Sequence, residues 1–249
     1  PFGMSFAEIN AWCLYGGGMD LWDKVQDQFG LKGLPAGNTG TQAGGWFNKE
    51  IESVDDFKGL KMRIPGLGGQ VLAKLGASTV SLPGGQIYEN LVSGTIDATE
   101  WVGPYNDYFM KFYEAAKFYY TGGMHEPGAQ LSLTSNKSWW MSLSDTERAI
   151  ITAASLEENA NAYFESMALN GEYLAKLTDE HGVEVRSFNE DVWDGMAEAA
   201  EEVFEETASY DALAADVTDA VQGKLREIGR AHSLFEGQFV NQRNRILDL

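Results

Sequence analysis

Between residues 31 and 120 the chain repeats one pattern, a short apolar run followed by a segment of helical periodicity, and this pattern restricts the fold more than any other feature. The runs fall at residues 42–47, 60–64, 79–82, 97–101 and 118–120. Helical patterns fill residues 70–75, 86–92 and 105–116 between them. Such alternation predicts an α/β architecture. A strand is also expected at residues 31–34, running on through Pro35 and Gly37, and two helices precede it. Ser5 is placed to cap the first, with Glu8 three residues on completing a capping box, and Gly16-Gly17-Gly18 ends it. After residue 120 the texture changes. Residues 130–134 read as a strand, 145–180 as one long helix stopped by His181-Gly182, 183–186 as a last short strand, and 190–247 as almost continuous helix with Gly223, Gly229 and Gly237 as kinks or breaks.

Composition narrows the function classes. At 44% apolar and 22% charged residues, the 249-residue chain has the make-up of a packed globular protein, not of a disordered or fibrous one. Eighteen Lys and Arg against 37 Asp and Glu give a net charge of −19, which repels nucleic acid and anionic membrane surfaces. The imbalance is uneven, with 14 acids and 10 bases in residues 1–140 but 23 acids and 8 bases in 141–249. Cys13 has no partner within the chain for a disulfide and excludes zinc–cysteine sites, so it leaves the compartment open. The chain starts at Pro1-Phe2-Gly3 without an initiator Met, as expected of a processed or truncated chain.

The common catalytic motifs are missing. There is no Gly-x-Ser-x-Gly elbow, no His-Glu-x-x-His and no phosphate loop. In Gly66-Leu67-Gly68-Gly69-Gln70-Val71, Val71 stands where a dinucleotide fingerprint needs its third glycine, so the run reads as a tight turn into a helix. His125, His181 and His232 are too widely spaced to suggest a relay, and His125 beside Glu126 reads as structural.

Polar residues concentrate instead at the ends of the apolar runs. The segment Asp97-Ala98-Thr99-Glu100-Trp101-Val102-Gly103-Pro104-Tyr105-Asn106-Asp107 puts three carboxylates and two aromatic rings into a strand-to-helix passage, and in an open α/β sheet such ends face the ligand crevice. A solvated loop with Asp97 or Asn106 as helix cap fits equally well. Arg63 lies in an apolar strand and needs an anion, either an internal carboxylate such as Glu100 or that of a ligand. Gln42, among glycines, together with Glu100 and Glu126, has the oxygen donors of a hard-cation shell. The pairs Trp139-Trp140 and Tyr119-Tyr120 read as core or lobe contacts.

Four motifs in order then give a resemblance. Gly59-Leu60-Lys61-Met62-Arg63-Ile64-Pro65-Gly66, Leu82-Pro83-Gly84-Gly85, the 97–107 segment and His125-Glu126-Pro127-Gly128 resemble the extracytoplasmic solute receptors of TRAP transporters, DctP-like, and within them the 2-oxoacid-binding branch. The likeness is good over residues 1 to about 190 and looser in the helical tail. It implies a two-lobed, periplasmic-binding-protein-like α/β fold with long C-terminal helices. Residues 1–36 would be the remainder of lobe I, 37–102 mainly lobe II, 103–135 lobe I with crossover strands, and 136–249 the long helical segments and tail. The opening strands and helices of lobe I would be missing.

By the same resemblance Arg63 grips the ligand carboxylate. Gln42, Glu100 and the Trp101 carbonyl hold a cation, Na+ with Ca2+ as the alternative, and Gln42, Trp101 and Glu126 also line the ligand pocket. The implied function is capture in the periplasm of a small 2-oxo or 2-hydroxy monocarboxylate such as pyruvate and its delivery to a membrane permease, without catalysis or a catalytic cofactor. The competing expectation is a metal-dependent lyase or hydrolase using Glu100 and Glu126 as acid and base. Apolar residues such as Val203, Phe204, Leu213, Val217, Val221, Leu225, Ile228 and Leu234 recur at three- and four-residue intervals. They pack either on the chain's own lobes or, as the resemblance favours, in a homodimer that exchanges C-terminal helices.

Overall fold

The apolar runs become strands because alternate residues of each find an apolar partner on opposite faces of one sheet. In the computed structural model, which describes residues 1–248, six strands are ordered β4-β3-β5-β2-β6-β8. They are β2 (Gly45–Phe47), β3 (Lys61–Arg63), β4 (Ser78–Val80), β5 (Ala98–Thr99), β6 (Phe118–Thr121) and β8 (Glu184–Ser187). β3 runs parallel to β4 and β5, β2 runs antiparallel to β5 and β6, and β6 is parallel to β8. Trp46 and Tyr119 form a registered pair on one face, stacked 4.2 Å apart, while Phe47 and Tyr120 point to the other.

Helices cover both faces. Against Phe47, Met62, Ala98 and Tyr120 lie α3 (Gly66–Lys74), through Val71 and Leu72, and α8 (Glu190–Ala208), through Val192, Met196, Ala200 and Val203. Against Trp46 and Tyr119 lie Ile87 and Leu91 of α4 (Gly84–Val92), Phe112, and Leu177 near the end of the long helix α7 (Asp145–Asp179). A separate two-stranded ribbon pairs β1 (Leu31–Asn38) with β7 (Gln130–Asn136), bulged between Pro35 and Gly37, and α7 packs along it. The expected α/β class is what the chain adopts.

Local signals placed most boundaries. In α1 (Phe6–Tyr15) the Glu8 carboxylate accepts from the Ser5 main-chain N–H at 2.8 Å, and α2 (Gly18–Asp27) follows the glycine break. α7 starts where Ser144 and Glu147 cap each other. Several expectations need correction. Residues 42–44 are not strand, because Gln42 is diverted into bonds with the His125-Glu126 turn, its N–H donating to the Glu126 carbonyl at 3.1 Å. The helix expected over 105–116 stops as α5 (Pro104–Met110). Lys111 turns left-handed at φ 57°, and a 3-10 turn, Phe112–Glu114, follows. The cap of α5 is Gly103, not Asp97 or Asn106, because the Asp107 carboxylate takes the free N–H groups of that turn. A short helix α6 (Lys137–Ser142), absent from the sequence reading, buries Trp140 and leaves Trp139 half exposed.

The tail is not one continuous helix. It breaks after α8 at Ser209–Asp211, where the Asp211 side chain accepts from Ala214 N at 2.7 Å and starts α9 (Ala212–Lys224). Beyond it come π-helical turns at Leu225–Gly229 and Ser233–Gly237 around the short α10 (Arg230–His232), then α11 (Gln238–Leu247). Gly229 and Gly237 close the two π turns, and Gly223 lies inside α9. From Leu213 to Ile228 the apolar positions are partly covered by the chain itself, as α9 packs on α8 and α2 and the first π turn packs on α1. Leu234, Phe235, Phe239 and Ile246 stand exposed. No helix among the described residues is long and apolar enough to cross a membrane.

Candidate functional site

Because β3, β4, β5 and β6 are mutually parallel in direction, their carboxyl ends reach the same edge of the sheet, and the segments that leave them meet there. Arg63 ends β3, Leu82 follows β4, Glu100 and Trp101 follow β5, and His125-Glu126 follow β6. Gln42 arrives at the same edge because β2, which it precedes, runs the opposite way.

The four side chains singled out from the sequence, Gln42, Arg63, Glu100 and Glu126, fall into one hydrogen-bonded network, with His125 at its centre. Arg63 Nη1 donates to Glu100 Oε1 and, at 3.3 Å, to the Glu100 carbonyl, while Arg63 Nε donates to the Leu82 carbonyl at 3.2 Å. The internal anion that the sequence left open for Arg63 is therefore Glu100. Its guanidinium also lies over the Trp101 ring, 5.4 Å from the centroid. The second Glu100 oxygen faces His125 Nε2 at 3.3 Å, and the same nitrogen faces Gln42 Oε1 at 3.3 Å. Gln42 Nε2 donates to Glu126 Oε2 at 2.7 Å, which fixes the amide with its oxygen toward His125 and Glu100.

Burial makes these contacts matter. Glu100 is 2% exposed and Arg63 8%, so each neutralises a charge that would otherwise be costly. Glu126 is half-buried. Desolvation pushes its carboxyl above the usual range, and nearby Glu100 adds to this while His125 and Arg63 oppose it. Two close approaches depend on glycine. A side chain at Gly68 would put its Cβ 2.5 Å from His125 Cβ, and one at Gly84 would come 2.6 Å from the edge of the Trp101 ring.

His125, read from the sequence as structural, is buried and joins Glu100 to Gln42. Its place directly after a strand that ends on the same edge as Arg63 and Glu100 was the available signal. Cys13 is buried, and burial pushes its thiol up to about 11, which leaves it unreactive.

No three His, Cys, Asp or Glu side chains among the described residues gather as a metal cage. The oxygens brought together at this edge are of another kind: the Glu100 carboxylate and the Gln42 amide oxygen, which both face His125 Nε2, with the Trp101 main-chain carbonyl next along the chain from Glu100. Neutral and singly charged oxygens suit a hard cation, Na+ or Ca2+, better than a thiophilic one. A carboxylate has about four lone-pair positions, so Glu100 has acceptor capacity beyond its bonds to Arg63 and His125. The residues present therefore fit such an ion.

Comparison with known proteins is extensive. The family model for bacterial extracellular solute-binding proteins, family 7 (DctP), matches residues 1–211. The monocarboxylate 2-oxoacid-binding periplasmic protein of Nostoc sp. is 43% identical over 212 residues, a match that covers 85% of this chain and 58% of that protein. The chain thus spans less than two thirds of that curated relative's length. A TRAP periplasmic solute-binding protein from Colwellia psychrerythraea, solved with bound calcium and pyruvate, superposes with a TM-score of 0.93 at 43% identity over 97% of this chain and 74% of its own. Another from Pseudoalteromonas atlantica, solved with bound sodium and pyruvate, gives a TM-score of 0.92 at 38% identity over 97% and 73%.

Proposed function

We propose, for a chain that belongs to family 7 of the bacterial extracellular solute-binding proteins, DctP, that it captures a small 2-oxo or 2-hydroxy monocarboxylate such as pyruvate together with a hard cation in the periplasm and delivers it to a TRAP membrane permease. The observation that carries this reading is the convergence of Gln42, Arg63, Glu100 and Glu126 from four separate segments into one hydrogen-bonded network. The pyruvate with calcium or sodium in the two solved relatives supports the ligand class.

In this reading Arg63 supplies the positive charge for the ligand carboxylate, and Glu100, Gln42 and the Trp101 carbonyl hold the ion. When bound, such an ion would supply positive charge to the oxygens of a small acid, held by these residues beside the Arg63 guanidinium. Glu100 keeps Arg63 pointed at the site, His125 holds the second oxygen of Glu100, and Glu126 fixes the Gln42 amide so that its oxygen faces inward. The Trp101 ring covers the guanidinium and limits its contact with water.

The same reading assigns residues 1–36 to the remainder of lobe I, 37–102 mainly to lobe II, 103–135 to lobe I and the crossover strands, and 136–249 to the long helical segments that span the lobes and the C-terminal helical tail. It gives the exposed apolar positions of the tail, Leu234, Phe235 and Phe239, to a homodimer through the C-terminal helices. Light scattering on the chain and on a form ending near residue 205 tests that part, because exchange requires a dimeric parent and a monomeric truncation.

Isothermal titration of the chain with pyruvate, with and without NaCl or CaCl2, tests the function. Cation-dependent binding at one site is the expected result, and no binding of pyruvate or lactate under any condition overturns it. Following pyruvate consumption in the same samples addresses the enzyme reading: turnover would give Glu100 and Glu126 acid–base roles and replace the receptor assignment.

A further inference from the structure

Asp107 is fully buried and lies outside the network described above, yet it collects more hydrogen bonds than a helix cap requires. Ser144 and Asn189, which cap α7 and α8, each accept one main-chain N–H with the side chain. Asp107 accepts four donors from three segments. Its Oδ1 takes the N–H groups of Val102 and Gly103, both at 3.0 Å. Its Oδ2 takes Trp46 Nε1 at 2.9 Å and the Tyr119 hydroxyl at 3.0 Å. An ionised carboxylate is the one side chain of this size that only accepts, so it alone satisfies all four donors at once.

The position of these bonds is what gives them a consequence. Val102 directly follows Trp101, whose carbonyl the proposed function gives to the cation. The Val102 carbonyl in turn accepts from Ala43 N at 2.9 Å, and Ala43 directly follows Gln42. Two of the proposed cation ligands thus flank a single main-chain hydrogen bond, and Asp107 ties that bond to the rigid stacked pair Trp46 and Tyr119 in the sheet.

We infer that Asp107 is a positioning residue that fixes the Trp101 carbonyl relative to Gln42 and so sets the cation affinity of the site. The inference rests on the cation-assisted binding proposed above. Burying a carboxylate against Trp46 and Tyr119 of an apolar cluster is costly for a turn that a neutral cap would hold, and the return is a rigid main-chain ligand. Nothing in this role touches the bound acid, so the loss should appear in the cation and not in the organic ligand.

The test uses Asp107→Asn in the full chain, with CaCl2 titrated alone and pyruvate titrated at a series of CaCl2 concentrations. An asparagine presents an NH2 group toward donors that need an acceptor. The half-saturating CaCl2 concentration should rise by about 10- to 100-fold, the range for partners that orient a metal ligand. At saturating CaCl2 the pyruvate affinity should return to within about threefold of the parent, since reciprocal coupling restores the ligand once the ion is in place. A folded variant, by circular dichroism and thermal transition, whose half-saturating CaCl2 stays within about twofold of the parent overturns the inference while leaving the cation reading intact. Loss of pyruvate binding that excess CaCl2 does not restore overturns it in favour of a plain structural role. Pyruvate binding by the parent without any cation dependence overturns both. Should Asp107→Asn not fold, Tyr119→Phe, which removes one donor that anchors Oδ2, carries the same test: a rise of about threefold or more supports the role, and no change rejects it.

Discussion

Between Asn38 and His125 seven polar or charged side chains are buried, among them Arg63, Glu100 and Asp107, whereas from Glu190 to the end of the described residues none is. The tail is far the more acidic part, yet its carboxylates sit on helix faces turned to water, where the charge costs little and keeps the surface hydrated. In the first region every buried charge is matched. Arg63 meets Glu100, Glu100 meets His125, and Asp107 meets four donors. Charge that a protein takes out of water has to be paired, and the pairing fixes geometry. Charge left in water fixes nothing, so the same residue types set geometry in one region and carry solvation in the other.

The comparison can be broken most strongly at Arg63. Arg63→Ala should cost ~2–5 kcal/mol of pyruvate binding, the range for removing one partner of a buried charge pair, and Arg63→Lys should restore only part of it because an ammonium lacks the planar fork. Titration calorimetry reads the loss, and parent-like affinity in the alanine variant would remove Arg63 from the site.

Glu100→Gln comes next. It should weaken cation and pyruvate together by at least the ~10–100-fold that orienting partners of a metal ligand are worth. The Na+ dependence of binding should flatten. Unchanged pyruvate affinity at every NaCl concentration would leave Glu100 with only its structural pairing to Arg63.

A pH experiment sharpens the contrast from the stability side. Desolvation raises the Asp107 carboxyl to about 6, against the four hydrogen bonds that lower it. In that window the folded chain binds more protons than the unfolded one, so this group's contribution to stability falls as pH rises from about 4 to about 6. Denaturant unfolding at several pH values should show that slope in the parent and not in Asp107→Asn. A matching slope in both would assign the pH dependence elsewhere.

The smallest effect belongs to the tail. Glu201→Lys and Glu205→Lys, both on the exposed face of α8, should change stability by no more than about 0.5 kcal/mol and leave pyruvate affinity unaltered. A change beyond about threefold in affinity would mean that the acidic face reaches the site through its field.

Much of the architecture was legible because its causes are local. α7 begins and ends within one residue of its sequence boundaries, since Ser144 and Glu147 form a capping box and His181-Gly182 stops the helix. Gly66, with φ 62°, opens α3, which takes in the glycine run and so starts four residues before the periodic segment at residue 70. The resemblance named Arg63, Gln42, Glu100 and Glu126, and strand-end chemistry gave independent reason to watch three of the segments that hold them. Other features left no local trace. The break after α8 contains neither Gly nor Pro and rests on Asp211 capping the next helix. α6 exists because Trp140 finds a buried place, which periodicity over six residues cannot show.

The sequence by itself determined the α/β class, most element boundaries and the acidic tail. It did so because hydrophobic period, capping and charge are properties of neighbouring residues. Only the tertiary structure decided that Glu100 is the anion Arg63 holds, that His125 joins them, and that Asp107 ties the turn after Trp101 to Trp46 in the sheet. These contacts link positions dozens of residues apart, and strand order and direction alone bring them to one edge.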